Sequence, residues 1–152
     1  MVNTPLSGAL PEPPTGIETP TVFIDLEVVD ANIKRMQDSL GNTGVKLRPH
    51  MKSHKSVNLA RRQLDAGAAG ITVSSVGEAE VFAEAGCDDI FIAYTIWAGI
   101  PSRAQRIRRL HEQVRSFSIG VDSVAGAQVR LGTCEPRRRR PPGRNNSGEY
   151  RC

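Results

Sequence analysis

No stretch of this sequence approaches the ~18–20 consecutive apolar residues that a membrane span needs. Its first twenty residues are rich in Pro and Gly and carry no basic-then-apolar signal pattern. Neither G-x-G-x-x-G nor G-x-x-x-x-G-K-[ST] follows any apolar run, which counts against a dinucleotide- or triphosphate-binding domain. Aromatics make up only 5% of the chain. The three cysteines, Cys87, Cys134 and Cys152, form an odd set without C-x-x-C pairing or metal-ligand spacing, so a disulfide framework or a cysteine zinc site is excluded. They read as free thiols in a reducing compartment. These absences predict a soluble, cytoplasmic chain with no membrane partner.

Aliphatic side chains are missing from one end as well. Beyond Gly132 there is no Val, Ile, Leu, Phe or Met. The charge is equally uneven. Residues 1–132 balance 14 Lys/Arg against 14 Asp/Glu, whereas the last twenty carry Arg137, Arg138, Arg139, Arg140, Arg144 and Arg151 against Glu135 and Glu149. The whole net charge of +4 therefore belongs to that tail. A basic balance usually points to nucleic acid or an anionic membrane, but the body has no such bias, so nucleic acid is not the expected partner. The tail cannot bury a core and is expected to be disordered. Because aliphatic content, charge and periodicity all change at one point, it is read as a translation artefact, a frameshift or misassigned gene end. The resulting division is a lead-in over 1–18, a domain over 19–132 and a basic tail over 133–152.

Within the domain, short apolar runs alternate with helical patterns. Thr21–Asp25 is a β-branched strand candidate, and Leu26–Leu40 places Val28, Val29, Ile33, Met36 and Leu40 at helical steps. Val45–Arg48 reads as a brief strand stopped by Pro49. Val57–Ala66 reads as a helix closed by Gly67 and Gly70. Ile71–Ser74, Ile90–Tyr94 and Phe117–Val121 are the following strands, with Ile90–Tyr94 expected to be buried on both faces. The helices between and after them are Gly77–Ala85, Pro101–His111 and Ser123–Leu131, the last capped by Ser123. Arg103, Arg106, Arg108 and Arg109 crowd one helix and read as a solvated face rather than an anion patch. Five strand–helix units imply an α/β fold with a parallel sheet, either doubly wound or a (β/α)8 barrel.

The stretch most suggestive of chemistry is Leu47-Arg48-Pro49-His50-Met51-Lys52-Ser53-His54-Lys55, where a short strand meets a helix. The C-terminal ends of barrel strands carry active sites. A lysine amine attacks an aldehyde only as the free base, and neighbouring cations together with burial favour that form. His50 and His54 are four apart, a spacing that suits a metal if both lie on one helical face. Pro49 and the preceding strand argue against a helix running through both, and no metal is assigned there. Met51 is assigned to packing.

Four segments, in order, resemble the D-threonine aldolase/D-serine dehydratase family, a branch of the alanine racemase-like pyridoxal-phosphate (PLP) enzymes. They are Thr19-Pro20-Thr21-Val22-Phe23-Ile24-Asp25-Leu26 with Asn32-Ile33; Arg48-Pro49-His50-x-Lys52-x-His54-Lys55; Ala66-Gly67-Ala68-x-Gly70-Ile71-Thr72-Val73-Ser74; and Glu78-Ala79-Glu80 leading to Ala85-Gly86-x-Asp88-Asp89-Ile90. The Lys-Ala-x-Ala-Tyr-Gly continuation of true alanine racemases is absent. The resemblance implies a partial (β/α)8 TIM-type barrel, truncated after about four barrel strands, with Thr21–Asp25 belonging to a separate β-domain. It implies that Lys52 binds PLP covalently, with His50 and Arg48 beside it. It further implies a divalent metal held by residues outside this chain, a small D-amino acid substrate and, at full length, a homodimer. The activity so implied is retro-aldol cleavage of a β-hydroxy-D-amino acid to glycine and an aldehyde, in a chain expected to be inactive by itself. Dehydratase chemistry, or a non-catalytic fragment with a basic interaction tail, stands as the alternative.

Overall fold

A computed structural model describes residues 15–133. The basic tail, apart from Thr133, and most of the lead-in lie outside these residues. The chain begins with α1 (Leu26–Leu40), capped by Asp25, whose side chain accepts from the Glu27 and Val28 amides. After a 3-10 turn at Met51–Ser53 come α2 (Val57–Asp65), β1 (Ile71–Val73), α3 (Val76–Glu84), β2 (Asp89–Ile92), α4 (Pro101–Gln113), β3 (Ser116–Ile119) and α5 (Val124–Thr133). Ser123 does cap α5, its Oγ accepting from Gly126 N at 3.1 Å. That helix runs to Thr133, two residues past the expected end.

The three strands form one parallel sheet in the order β1-β2-β3. Its register fixes two faces, because side chains alternate across a strand. Ile71, Ile90 and Phe117 share one row and Val73, Ile92 and Ile119 another. These rows enter the core with Ala79, Phe82 and Ala83 of α3 and Ile107 and Leu110 of α4. Phe82, Ile71, Ile90, Ile92, Ile107 and Leu110 are essentially fully buried. The opposite face carries Thr72, Phe91 and Ser118 in register. This is a helix-backed parallel sheet, a partial barrel of the α/β class, with the row of Thr72, Phe91 and Ser118 on the barrel's inner side.

Two expected strands take another form. Thr21–Asp25 is extended but unpaired, with Val22, Phe23 and Ile24 exposed. A strand is made by its neighbour's hydrogen bonds, and among the described residues none lies beside it. Val45–Arg48 runs along β1 without a ladder. Ala69 N donates to Leu47 O and Thr72 N to Pro49 O, both at 2.8 Å, and a single parallel bridge joins His50 to Thr72. Pro49 has no N–H, so a regular ladder cannot continue through it. Ile90–Tyr94 is not buried on both faces either. Ile90 and Ile92 are buried, whereas Phe91 is half-buried and Tyr94 exposed.

The helix ends show what the glycines do. At α2, Gly67 N donates to Leu64 O and Ala68 N to Gln63 O, a Schellman closure with Gly67 at φ 106°. Gly86, at φ 92°, closes α3 in the same way. Gly70, expected to share in ending α2, serves a different purpose. Its φ is not in the left-handed region, but a Cβ there would overlap Arg48 Nη1 and lie 2.6 Å from the Asp89 carbonyl oxygen.

Candidate active site

The segment from Arg48 to Lys55 lies beside β1 and delivers its side chains in layers. Extending the His50–Thr72 bridge backward by two residues sets Arg48 opposite Gly70 and Asp89. Arg48 Nη2 pairs with Asp89 Oδ1 at 2.9 Å, while Nη1 donates to Asp89 O at 3.2 Å. Its guanidinium thus crosses the bare backbone of Gly70 to reach β2. His50, about 7 Å further along an extended chain, belongs to the row of Thr72, Phe91 and Ser118.

The chain then winds into its 3-10 turn. Met51, fully buried, anchors it, and the Met51 carbonyl accepts from both His54 N at 3.3 Å and Lys55 N at 2.8 Å. His50 Nδ1 accepts from Lys52 N at 3.1 Å, and His54 Nδ1 accepts from Ser56 N at 3.0 Å. With Nδ1 acting as acceptor, each neutral imidazole carries its proton on Nε2. Both Nε2 atoms are buried and have no hydrogen-bond partner among the described residues. Burial, then the nearby Lys52 charge, holds the His50 imidazole below its ordinary range, with Glu78 opposing the shift. His50 is therefore a neutral ring with a fixed acceptor and an unspent donor.

The two lysines of the motif are held differently. Lys55 has φ 50° and its Nζ lies 3.4 Å from Glu78 Oε1. Lys52 is exposed and has no carboxylate within ion-pair distance among the described residues; its Nζ instead sits 6.0 Å from the centroid of the Tyr94 ring. Tyr94 follows β2 by two residues, so Lys52 and Tyr94 meet across β1 at the C-terminal end of the sheet, where barrel enzymes place their chemistry.

The structure thus brings His50, Lys52 and Tyr94 to one strand end and places Arg48 in the layer beneath, committed to Asp89. Sequence reasoning missed Tyr94, which was read as the last residue of a buried strand. Its position at the C-terminal end of a strand of the same sheet, the end at which the lysine sits, was the available signal. It also missed Ser75 as a cap. Ser75-Val76-Gly77-Glu78 has the spacing of a capping box; Glu78 N donates to Ser75 Oγ at 3.1 Å, and the Glu78 carboxylate accepts from Ser74 N at 2.8 Å. The arginines of α4 form no common anion site. Arg106 is bidentate to Glu80 on α3, at 2.7 and 2.6 Å, and Arg103 donates to Trp97 O at 3.0 Å. The Arg106 hydrogen bonds hold the Glu80 carboxyl below its usual range against the opposing effect of burial. A groove lined by Ile24, Leu26, Leu59 and Arg62 includes none of the strand-end residues.

Among the described residues no group of three or more His, Cys, Asp or Glu is arranged to hold a metal; the divalent ion implied by the family resemblance was expected on residues outside this chain. No described helix is long and apolar enough to cross a membrane. Cys87 is buried, and burial pushes its thiol up.

Comparison with known proteins identifies the fold and the family. The sequence model of the alanine racemase N-terminal domain matches residues 24–133. The chain is 44% identical over 113 residues to D-threo-3-hydroxyaspartate dehydratase of Delftia sp. (strain HT23), covering 74% of this chain and 29% of that protein. It is 36% identical over 127 residues to D-threonine aldolase of Arthrobacter sp, covering 80% and 33%. Among solved structures, D-threonine aldolase from Filomicrobium marinum superposes with a TM-score of 0.72 at 28% identity, covering 76% of this chain and 31% of that one. The Delftia dehydratase gives 0.69 at 42%, covering 77% and 30%. The chain spans about a third of the length of the curated relatives it matches.

Proposed function

Because the chain belongs to the alanine racemase N-terminal domain family, matched across residues 24–133, we propose that it forms the lysine-bearing part of a PLP-dependent lyase acting on β-hydroxy-D-amino acids. The observation that carries this reading is Lys52 itself, an amine without an ion-pair partner among the described residues, at a strand end and beside an aromatic ring. Lys55, three residues on, is engaged by Glu78. The unspent buried donor at His50 Nε2 also suits a site that receives an acceptor from a ligand.

In this reading Lys52 Nζ holds the cofactor covalently. When bound, PLP supplies an electron sink for the pair released as a bond at the substrate Cα breaks. His50, kept neutral, fixes the Lys52 amide through Nδ1 and so aims the root of the lysine side chain. Arg48 supports the site from below by tying the lysine's segment to β2 through Asp89.

The test is direct. Incubation with PLP followed by borohydride should label Lys52, identified by peptide mass spectrometry. A label concentrated on Lys55 overturns the assignment. The expected outcome for the chain alone is little or no turnover of D-threonine with PLP and a divalent metal, because the Lys52 side chain stands open to water. Robust aldehyde release refutes that. The first reading of the complete reaction is retro-aldol cleavage, giving glycine and an aldehyde. The 44% identity to a dehydratase, against 36% to an aldolase, favours a second reading in which ammonia and a 2-oxo acid form instead. Product analysis on a chain extended with a relative's remaining barrel distinguishes the two.

A further inference from the structure

The β2–α4 loop carries two exposed aromatic residues, Tyr94 and Trp97, each 54% exposed. They are not equivalent. The Trp97 indole is folded back on its own loop, so close that a Cβ on Gly99 would lie 2.5 Å from its Nε1. Arg103, donating to the Trp97 carbonyl at 3.0 Å, ties that part of the loop to α4. Trp97 is thus occupied by local packing. Tyr94, by contrast, presents its ring to Lys52 Nζ at 6.0 Å. A planar ring carried on that nitrogen can reach the 4.5–7 Å at which aromatic rings pack offset or edge to face.

We infer that Tyr94 is a ring-recognising wall of the lysine site, selecting aromatic over aliphatic aldehydes at Lys52 by stacking against the bound ring. The inference rests on the reading of Lys52 as the cofactor lysine and adds a residue to that site. Nothing in the placement requires the phenol hydroxyl, so phenylalanine should serve as well as tyrosine. The alternative is that the ring merely faces the lysine ammonium, a cation–π contact that favours the protonated amine. The two differ in sign. Loss of a stacking wall weakens capture of an aromatic aldehyde, whereas loss of a cation–π partner frees the amine and strengthens capture of every aldehyde.

The experiment is competitive labelling on the full 152-residue chain. Its four lysines, Lys34, Lys46, Lys52 and Lys55, provide internal references. In the labelling reaction, the deprotonated Nζ adds to the aldehyde carbon and the carbonyl oxygen leaves as water, forming a C=N bond. Borohydride then delivers hydride to that carbon and water protonates the nitrogen, leaving a stable secondary amine. PLP is the aromatic probe and glyoxylate the aliphatic one, each quantified by peptide mass spectrometry in the wild type, Tyr94→Phe and Tyr94→Ala. The ring's exposure makes both variants compatible with folding, which circular dichroism checks.

The expected result is that Tyr94→Ala lowers the Lys52:Lys55 labelling ratio with PLP by about two- to tenfold. Its glyoxylate ratio should stay unchanged, and Tyr94→Phe should match the wild type with both probes. An unchanged PLP ratio in Tyr94→Ala overturns the inference, as does an increase with both aldehydes or an equal decrease with both. Failure of PLP to label Lys52 in the wild type instead defeats the underlying assignment of the lysine, so the two failures are distinguishable.

Discussion

Replacing Gly70 by alanine adds one methyl group and should cost far more than a surface methyl. A Cβ at this position would overlap Arg48 Nη1, lie 2.6 Å from Asp89 O and lie 2.9 Å from Asp89 Cγ. The arginine can swing away, but only by giving up its pair with Asp89, whose side chain is 15% exposed. The Asp89 oxygen cannot swing. It belongs to the backbone of β2, which pairs with β1 on one side and β3 on the other. Overpacking of this kind costs about 1–3 kcal/mol, and the displaced guanidinium places Gly70→Ala near the top of that range. With urea m-values of about 1–3 kcal/mol/M, the unfolding midpoint should fall by roughly 1–3 M with the slope unchanged. Repeating the substitution in an Arg48→Ala background separates the two contacts. The arginine clash is then gone and the carbonyl clash remains, so the cost of Gly70→Ala should shrink by roughly 1 kcal/mol without vanishing. A Gly70→Ala midpoint within about 0.2 M of wild type would refute the close-approach reasoning.

Protonation of His50 gives a second expectation. Its folded value is lowered from 6.5 by burial and by Lys52. The unfolded chain therefore takes up the proton first, and stability is full above 6.5 and declines as pH falls below it. Urea midpoints should drop between pH 7 and pH 5 in the wild type and drop less in His50→Gln; equal pH profiles would show that His50 contributes nothing. Ser75→Ala removes the oxygen that accepts from Glu78 N at 3.1 Å and should destabilise the chain by about 1 kcal/mol. Ser75→Asp should restore most of this, and a neutral Ser75→Ala counts against the cap.

Much of this was legible in the sequence, and what was not has a physical pattern. Helices α1, α4 and α5 fall close to their expected bounds because their signals are local: apolar steps of three and four, Ser123 as a cap, Pro101 at a first turn. The strands were found by β-branched content, but pairing depends on chain remote in sequence. Thr21–Asp25 has the residues of a strand and no described neighbour, and Val45–Arg48 meets a proline that denies it a ladder. At the site, the lysine motif was visible as a string of residue types. The commitment of Arg48 to Asp89, the need for Gly70 and the approach of Tyr94 to Lys52 all join residues remote from one another in the sequence. No periodicity reports such contacts.

The turn that carries Lys52 closes on itself. Its hydrogen bonds, from the Lys52 amide to His50 Nδ1 and from the His54 and Lys55 amides to the Met51 carbonyl, span only two to four residues. Contacts so short carry little loop-closure entropy and form quickly. The lysine can therefore be shaped before β2 has docked, whereas its meeting with Tyr94, forty-two residues later in the chain, waits for the sheet. If Tyr94 is the wall proposed above, weakening β2 without unfolding the turn should leave a segment that still orients its amine but no longer favours aromatic aldehydes. On that proposal the amine and the ring beside it are set by separate folding events.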